Sequence, residues 1–181
     1  AIRTSGNKMR SIVVASSDKS YGSYPKELMP YKEDYPLIPK YPYDVSKACG
    51  DMIAQTYASD IFRLPVVVTR FCNIYGPGQL NFSAIIPDGI RSALGYTKFI
   101  PRGDGTQVRD FIYVEDVSEL YMLVGELLNN DPDGLTGEIF NAGSNVPHSV
   151  KNILEMIFSL IGNETELEEI IALMKGRKTS G

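Results

Sequence analysis

Tyr43 and Lys47 stand four residues apart in the stretch YPYDVSKACGDMIAQTY, positions 41–57. On a helix that spacing stacks the two side chains one turn apart. Free tyrosine ionises near pH 10, and a neighbouring ammonium favours its phenolate. Such a phenol can exchange a proton with an alcohol or sugar hydroxyl near neutral pH. The same spacing also describes an ordinary surface pair, worth about 0.2–0.5 kcal/mol. Eleven tyrosines and ten lysines scattered through 181 residues give about 0.6 such pairs by chance, so the surroundings have to decide.

Helical periodicity runs from 43 to 60. Val45, Ala48, Cys49, Met52 and Ile53 recur at i, i+3, i+4, i+7 and i+8, which predicts one packing stripe. Tyr43 and Lys47 project from roughly the opposite side. SIVVAS (11–16) and PVVVTR (65–70) are continuous apolar runs, predicted to be parallel strands buried on both faces. Strand, helix and strand make a right-handed βαβ unit. Ligands bind at the carboxyl edge of such sheets. SSDKSYG (16–22) leaves the first strand there, and RFCNIYGPG (70–78) leaves the second. Ser16 or Ser17 can donate to a reacting oxygen, and Asp18 and Lys19 offer an acid and a potential base side by side. The same segment also suits a turn closed by an Asx hydrogen bond from Asp18. Two strand ends and one helix face are thus expected to converge.

Further along, helices are predicted at 84–95, with Ser83 as N-cap, and at 115–129, 149–161 and 164–174. Strands are predicted near 97–100, 107–113 and 138–143. GDGT (103–106) and NNDPDG (129–134) carry turn chemistry. Gly162 stops the 149–161 helix, and GRKTSG (176–181) forms a polar tail. Loops 17–42 and 71–83 are long, and loops of that length in a compact domain are often functional.

Composition excludes several classes. Hydrophobic content is 43%, charged content 22% and net charge −4, so no basic footprint for nucleic acid or an anionic membrane is present. No apolar run is long enough to span a bilayer, and no secretory leader is visible. Cys49 and Cys72 form no CxxC and no disulfide framework, which fits a reducing cytoplasm. One histidine, His148, is read as a loop residue, which argues against a Ser-His-Asp hydrolase and against a metal site.

VVASSDKSYG, YPYDVSKAC, VVVTRFCNIYGPG, GDGTQVRDFIYVEDV and EIFNAGS occur in this order. Together they resemble the extended short-chain dehydrogenase/reductase family, in particular its nucleotide-sugar epimerases and 4,6-dehydratases. The resemblance implies an α/β fold: a partial Rossmann-like parallel sheet with helices on both faces, plus a small C-terminal substrate-binding α/β part. Residues 1–78 would form the second half of the NAD domain, with the Tyr/Lys helix. Residues 79–181 would mainly bind the nucleotide sugar, interleaved with the sheet. It further implies NAD as cofactor and roles for single residues. Ser17 and Tyr43 would polarise the sugar's 4-hydroxyl, with Tyr43 taking its proton. Lys47 would hold the nicotinamide ribose and favour the Tyr43 phenolate. Asn73 and Asn81 would lie near the substrate, and Arg109 would clamp the diphosphate, a task suited to its planar fork. The competing, weaker reading of Arg109 is a salt bridge to Asp110 or Glu115.

Dehydratases of this family often carry Asp-Glu after the Ser/Thr position, where this chain has Asp18-Lys19. That variation is similar to the CDP-glucose 4,6-dehydratase type. A lysine serves as base only where burial or a neighbouring cation lowers its pKa. Dehydration is therefore expected, with an epimerase as the alternative. The family's G-x-x-G-x-x-G turn, which seats the NAD pyrophosphate, has no counterpart in the sequence. The chain accordingly reads as the middle and C-terminal part of a longer enzyme. Its first strand would be left at a sheet edge, open to pairing. A non-catalytic nucleotide-sugar-binding fragment and a purely structural domain are the competing readings. In the family the tyrosine helix packs against its twin, so a homodimer through helix 43–60 is expected.

Overall fold

In chain order the elements are β1 (Ile12–Ser17), a 3-10 turn (Asp18–Tyr21), a second 3-10 turn (Lys26–Leu28), α1 (Pro42–Ala58), β2 (Val66–Phe71), β3 (Asn73–Tyr75), α2 (Ile85–Ala93), β4 (Val108–Arg109), β5 (Phe111–Tyr113), α3 (Val114–Asn130), α4 (Pro132–Leu135), β6 (Ile139–Ala142), β7 (His148–Ser149), α5 (Val150–Ile161) and α6 (Glu164–Lys175). The computed structural model describes residues 9–177. They form two units. The first runs through Ile74 and resumes at Ile112–Gly143; the second comprises Tyr75–Phe111 and the chain from Ser144 on.

The first unit is built on a parallel sheet of order β1-β2-β6. β2 is central and buried at every position. Its side chains alternate between faces, as the pleat requires. Val66 and Val68 pack with Ile12, Val14, Ile139 and Ala54 of α1. Val67 points the other way, into Val13, Phe140, Val124 and Leu128 beneath α3. Phe71, Ile112 and Val117 continue that lower layer. Helices thus cover both faces, the parallel-sheet arrangement expected of consecutive βαβ connections. Among the described residues β1 lies at the sheet edge, as expected of the first strand, but it is not buried on both faces: most of its residues are half-buried, and Ala15 is exposed.

α1 corrects the predicted stripe. Its sheet-facing side is Asp44, Ala48, Asp51 and Ala54, while Val45, Cys49, Met52 and Ile53 face solvent. Small residues let the helix lie close to the sheet, and Asp51 is tolerated there because it has a buried cation to meet. A count of apolar residues alone cannot anticipate that.

In the second unit α2, α5 and α6 enclose Ala93, Phe99, Leu154, Phe158, Ile170 and Met174. Gly89 of α2 permits the approach, since a Cβ there would come within 3.0 Å of Leu154 and 3.1 Å of Ile157. Ser149 caps α5 by accepting from Asn152 N–H, and Gly162 ends it at φ 83°, as its sequence predicts. Other expectations fail here. Ser83 does not cap α2; its N–H and Oγ both go to Asn81 Oδ1, and α2 begins after Ala84. Residues 97–100 form no strand. Phe99 is anchored instead by its N–H to Ser92 Oγ at 3.1 Å. The 107–113 strand breaks at Asp110, whose carboxylate accepts from Phe111 N–H, Asn145 N–H and the Ser144 hydroxyl. His148 is not in a loop but in β7, opposite Arg109 of β4. In the first unit, part of NNDPDG forms α4, a single turn capped by Asp131. Of the polar tail 176–181, residues 178–181 lie outside the described residues.

The loop from Gly22 to Tyr41 is held by side chains rather than by a ladder. Tyr21 stacks on Tyr31 at 4.7 Å, Tyr24 packs edge-on against Tyr31, and Tyr24 stacks on Tyr35. Its start closes where Ile38 N–H meets Tyr21 O at 3.2 Å, beside Gly22 at φ 78°. A Cβ on Gly22 would collide with the Ile38 carbonyl. Gly22→Ala is therefore expected to destabilise the intact protein by about 1–3 kcal/mol, read as a lower urea midpoint with an unchanged slope.

Candidate active site

The carboxyl ends of the three parallel strands carry a polar row on the α1 face. Ser16 of β1, Arg70 of β2 and Asn141 of β6 lie opposite one another in register, two residues beyond the apolar row Val14, Val68 and Ile139. Arg70 is 3% exposed. Its Nε donates to Asp51 Oδ2 at 2.8 Å and its Nη2 to Asp51 Oδ1 at 3.0 Å, a bidentate pair from sheet to α1. Its Nη1 donates to Tyr21 Oη at 2.7 Å and to the Glu33 carbonyl at 3.1 Å. Asp51 also accepts from Ser16 Oγ at 2.7 Å and from Gln55 Nε2. Tyr21 Oη donates to Asn141 Oδ1 at 2.7 Å. Burial pushes the Asp51 carboxyl up, but hydrogen bonds from Arg70, Ser16 and Gln55, with the Arg70 charge, outweigh it and hold the group below its ordinary value. Burial likewise opposes the Arg70 charge, and its bonds to Asp51 and Tyr21 reverse the effect. Burial raises the Tyr21 phenol, against the pull of Arg70 and Asn141.

This row lies beneath the predicted site. Ser17 ends β1 and caps the 3-10 turn, accepting from Lys19 N–H at 3.3 Å and donating to Asp18 Oδ1 at 3.1 Å. Lys19 Nζ meets Asp18 Oδ2 at 3.0 Å. The turn and α1 pack against each other. Tyr43 lies in the first turn of α1 and is 58% exposed. Lys47 is half-buried, with its Nζ 6.0 Å from the Tyr43 ring centre. Asn73 opens β3. The two remaining candidates belong to the second unit. Asn81 accepts from Ser83, and Arg109 of β4 is exposed and donates to the Val108 carbonyl at 2.9 Å.

Within the second unit a cleft of about 320 Å³ is lined by Arg109, Arg102, Gln107, Asp88 and Ser83, among others. Arg102 was not anticipated from the sequence, where only its place before the GDGT turn hinted at it. Asp51, Arg70, Tyr21 and Asn141 were missed as well. Among the described residues no group of three or more His, Cys, Asp or Glu side chains could hold a metal, and no helix is long and apolar enough to cross a membrane.

The family model described as "NAD dependent epimerase/dehydratase family" matches residues 1–143. The dTDP-D-glucose 4,6-dehydratase of Homo sapiens is 32% identical over 177 residues, covering 96% of this chain and 47% of that protein. The crystal structure of dTDP-glucose 4,6-dehydratase from Bacillus anthracis in complex with NAD is 37% identical at a TM-score of 0.74, covering 84% of this chain and 46% of that one. A UDP-N-acetylglucosamine 4-epimerase from Methanobrevibacter ruminantium is 26% identical at a TM-score of 0.72, covering 86% and 48%. The chain thus spans about half the length of each of these relatives.

The buried pair sets a pH dependence. The folded Asp51 carboxyl lies below its ordinary 3.8, so the unfolded chain binds the more protons in acid. The stability Asp51 contributes is present above about pH 4 and is lost as pH falls through its folded value. Asp51→Asn leaves the Arg70 charge buried without its carboxylate and is expected to cost about 3–5 kcal/mol at pH 7. Chemical denaturation from pH 7 to pH 2 should show the gap between wild type and variant closing below about pH 4.

Proposed function

The chain belongs to the NAD dependent epimerase/dehydratase family, and from that premise we propose that it carries the acid–base half of a nucleotide-sugar 4,6-dehydratase. One observation carries the reading: the Ser17–Asp18–Lys19 turn, at the carboxyl end of β1, packs against the helix that bears Tyr43 and Lys47. Tyr43 and Lys47 are one turn apart on an accessible stretch of α1, so both can be reached by a ligand. That accessibility fits the nicotinamide-ribose side of NAD, which Lys47 and Tyr43 would hold. The glycine-rich turn that suits its pyrophosphate is not in the sequence. Bound NAD would supply the hydride acceptor for the sugar's C4 and, once reduced, the hydride donor for C6.

The chain's own residues would divide the proton work. Ser17 donates a hydrogen bond to the 4-oxygen, and Tyr43 accepts the 4-hydroxyl proton. Lys47 stabilises the phenolate form of Tyr43 that accepts this proton. Transfer of one proton within the Asp18–Lys19 pair leaves an amine and a carboxylic acid. Lys19 then takes the proton from C5 and Asp18 gives one to the leaving 6-hydroxyl, so that water departs across C5 and C6. Lys19 returns its proton to C5 as C6 is reduced, giving the 4-keto-6-deoxy sugar. Asn73 and Asn81 contact the substrate. Arg109, with Arg102 in the same cleft, supplies positive charge for the diphosphate, the arginine fork being matched to phosphate oxygens. The lysine at position 19 points to CDP-glucose as the first substrate to try. The Asp18–Lys19 ion pair favours a second reading, an epimerase, because it ties together the two groups that elimination needs.

Val45, Cys49, Met52 and Ile53 give α1 an exposed apolar face, on which a second copy of the chain would dock to form a homodimer. Cys49 and Cys72 are both thiols, in keeping with a cytoplasmic enzyme.

Incubating the intact protein with NAD and CDP-glucose should yield a 4-keto-6-deoxy product. Absence of product with CDP-, UDP-, GDP- and dTDP-sugars alike would sink the assignment. Tyr43→Phe is expected to lower kcat about 10²- to 10⁴-fold. Lys19→Met separates the two readings: a dehydratase loses its product, whereas an epimerase keeps forming the 4-epimer. For the dimer, Met52→Asp with Ile53→Asp should convert the intact protein to monomer in light scattering, and an unchanged mass would remove that interface.

A further inference from the structure

The polar row is more than the sheet needs for cohesion. Two residues earlier the same three strands are closed by Val14, Val68 and Ile139. Replacing a buried ion pair with apolar residues of similar volume is often neutral or stabilising, so stability alone gives no reason for Arg70 and Asp51. What the pair adds is direction. The free energy of apolar burial is non-directional and by itself favours no one rotation or axial position of a helix. A bidentate guanidinium–carboxylate contact fixes both.

The segments joined are the ones that carry the proposed chemistry. Asp51 is one helical turn beyond Lys47 and two beyond Tyr43, on α1. Tyr21 closes the turn that carries Asp18 and Lys19, and Arg70 holds it both by the 2.7 Å hydrogen bond and by lying 4.6 Å from its ring centre. Ser16, next to Ser17, donates to Asp51, and its hydroxyl lies 3.0 Å from that of Ser20 in the same turn. The Glu33 carbonyl brings in the loop that connects turn to helix. A single buried side chain thus has hydrogen bonds to the helix, the turn and the loop between them.

Building on the acid–base reading above, we propose that Arg70, clamped by Asp51, is a positioning residue: it sets α1, with Tyr43 and Lys47, against the turn bearing Ser17, Asp18 and Lys19. It touches no substrate and moves no proton. Its effect is on the mutual placement of groups that must act on one sugar, where a displacement of about 1 Å can cost about 100-fold in rate.

The test replaces the pair by apolar residues in the intact protein, Arg70→Met with Asp51→Leu, beside Tyr43→Phe as a control. Thermal unfolding should stay near that of wild type. The kcat for the nucleotide sugar should fall by about 100-fold, with KM changed less than about 3-fold. Amide hydrogen exchange should quicken about 10-fold or more across 18–35 and the first turns of α1, but not in β2 or β6. Wild-type kcat and wild-type exchange in a folded double variant would overturn the proposal. So would a loss of kcat that only follows a uniform loss of protection. Should the double variant not fold, Tyr21→Phe removes the link from Arg70 to Asn141 while keeping the ring. It should then show the same local quickening with a smaller fall in kcat, and an unchanged exchange pattern would count against the idea. If wild type turns over no nucleotide sugar, the acid–base reading fails by itself, and the exchange pattern alone decides whether Arg70 positions these segments.

Discussion

Arg70 is buried, permanently charged and equipped with donors that all need acceptors. An isolated charge in that position would be prohibitively costly. The surrounding chain is arranged to prevent it. Asp51 provides the countercharge from α1, Tyr21 and the Glu33 carbonyl take the remaining fork, and Asn141 and Ser16 complete the shell from the flanking strands. Much of what is irregular in the first unit follows from these demands. They account for an acidic residue on the inner face of α1 and for a fully buried tyrosine in a 3-10 turn. They also account for an asparagine in a strand otherwise suited to a hydrophobic layer.

Parallel strands put all their carboxyl ends on one side, and that geometry makes a polar layer available there. The apolar layer below holds the sheet together. The polar layer above orders the Ser17–Lys19 turn that leaves β1 and the loop leading to α1. The loop has little repetitive backbone structure of its own, and its tyrosines take over the ordering. The second unit depends on different physics, an apolar core between helices with arginines lining a cleft beside it.

The sheet and most helices were legible because their signals are local. VVV in β2, the periodicity of the helices and the stop at Gly162 need no knowledge of distant residues. The face of α1 was misread because the apolar count favoured Val45, Cys49, Met52 and Ile53, whereas the inner face was chosen by Asp51. Its partner, Arg70, lies outside the helix. A period-two reading of VVVTR does place Arg70 on the same side as Val66 and Val68. An arginine on the buried side of a central strand is a signal that an acid must face it. The break at Asp110 that separates β4 from β5, the strand β7, and the missing strand at 97–100 were beyond reach for another reason. The Asp110 and Ser92 side chains take the backbone N–H groups of Phe111, Asn145 and Phe99, and β7 is a strand because it pairs with β4, about forty residues earlier.

The contacts of Asn141 span long stretches of sequence: 120 residues to Tyr21, 110 to Tyr31 and 108 to Glu33. Closing loops of that size is entropically costly and tends to come late in folding. Synthesis proceeds from the amino end, so β1, α1 and β2 emerge well before β6, with the first stretch of the second unit made in between. During that interval Tyr21 has no amide partner, and one edge of β2 is unpaired. A ribosome-bound chain would therefore display a bare strand edge for the length of some seventy codons, an interval in which such an edge is open to pairing with other chains.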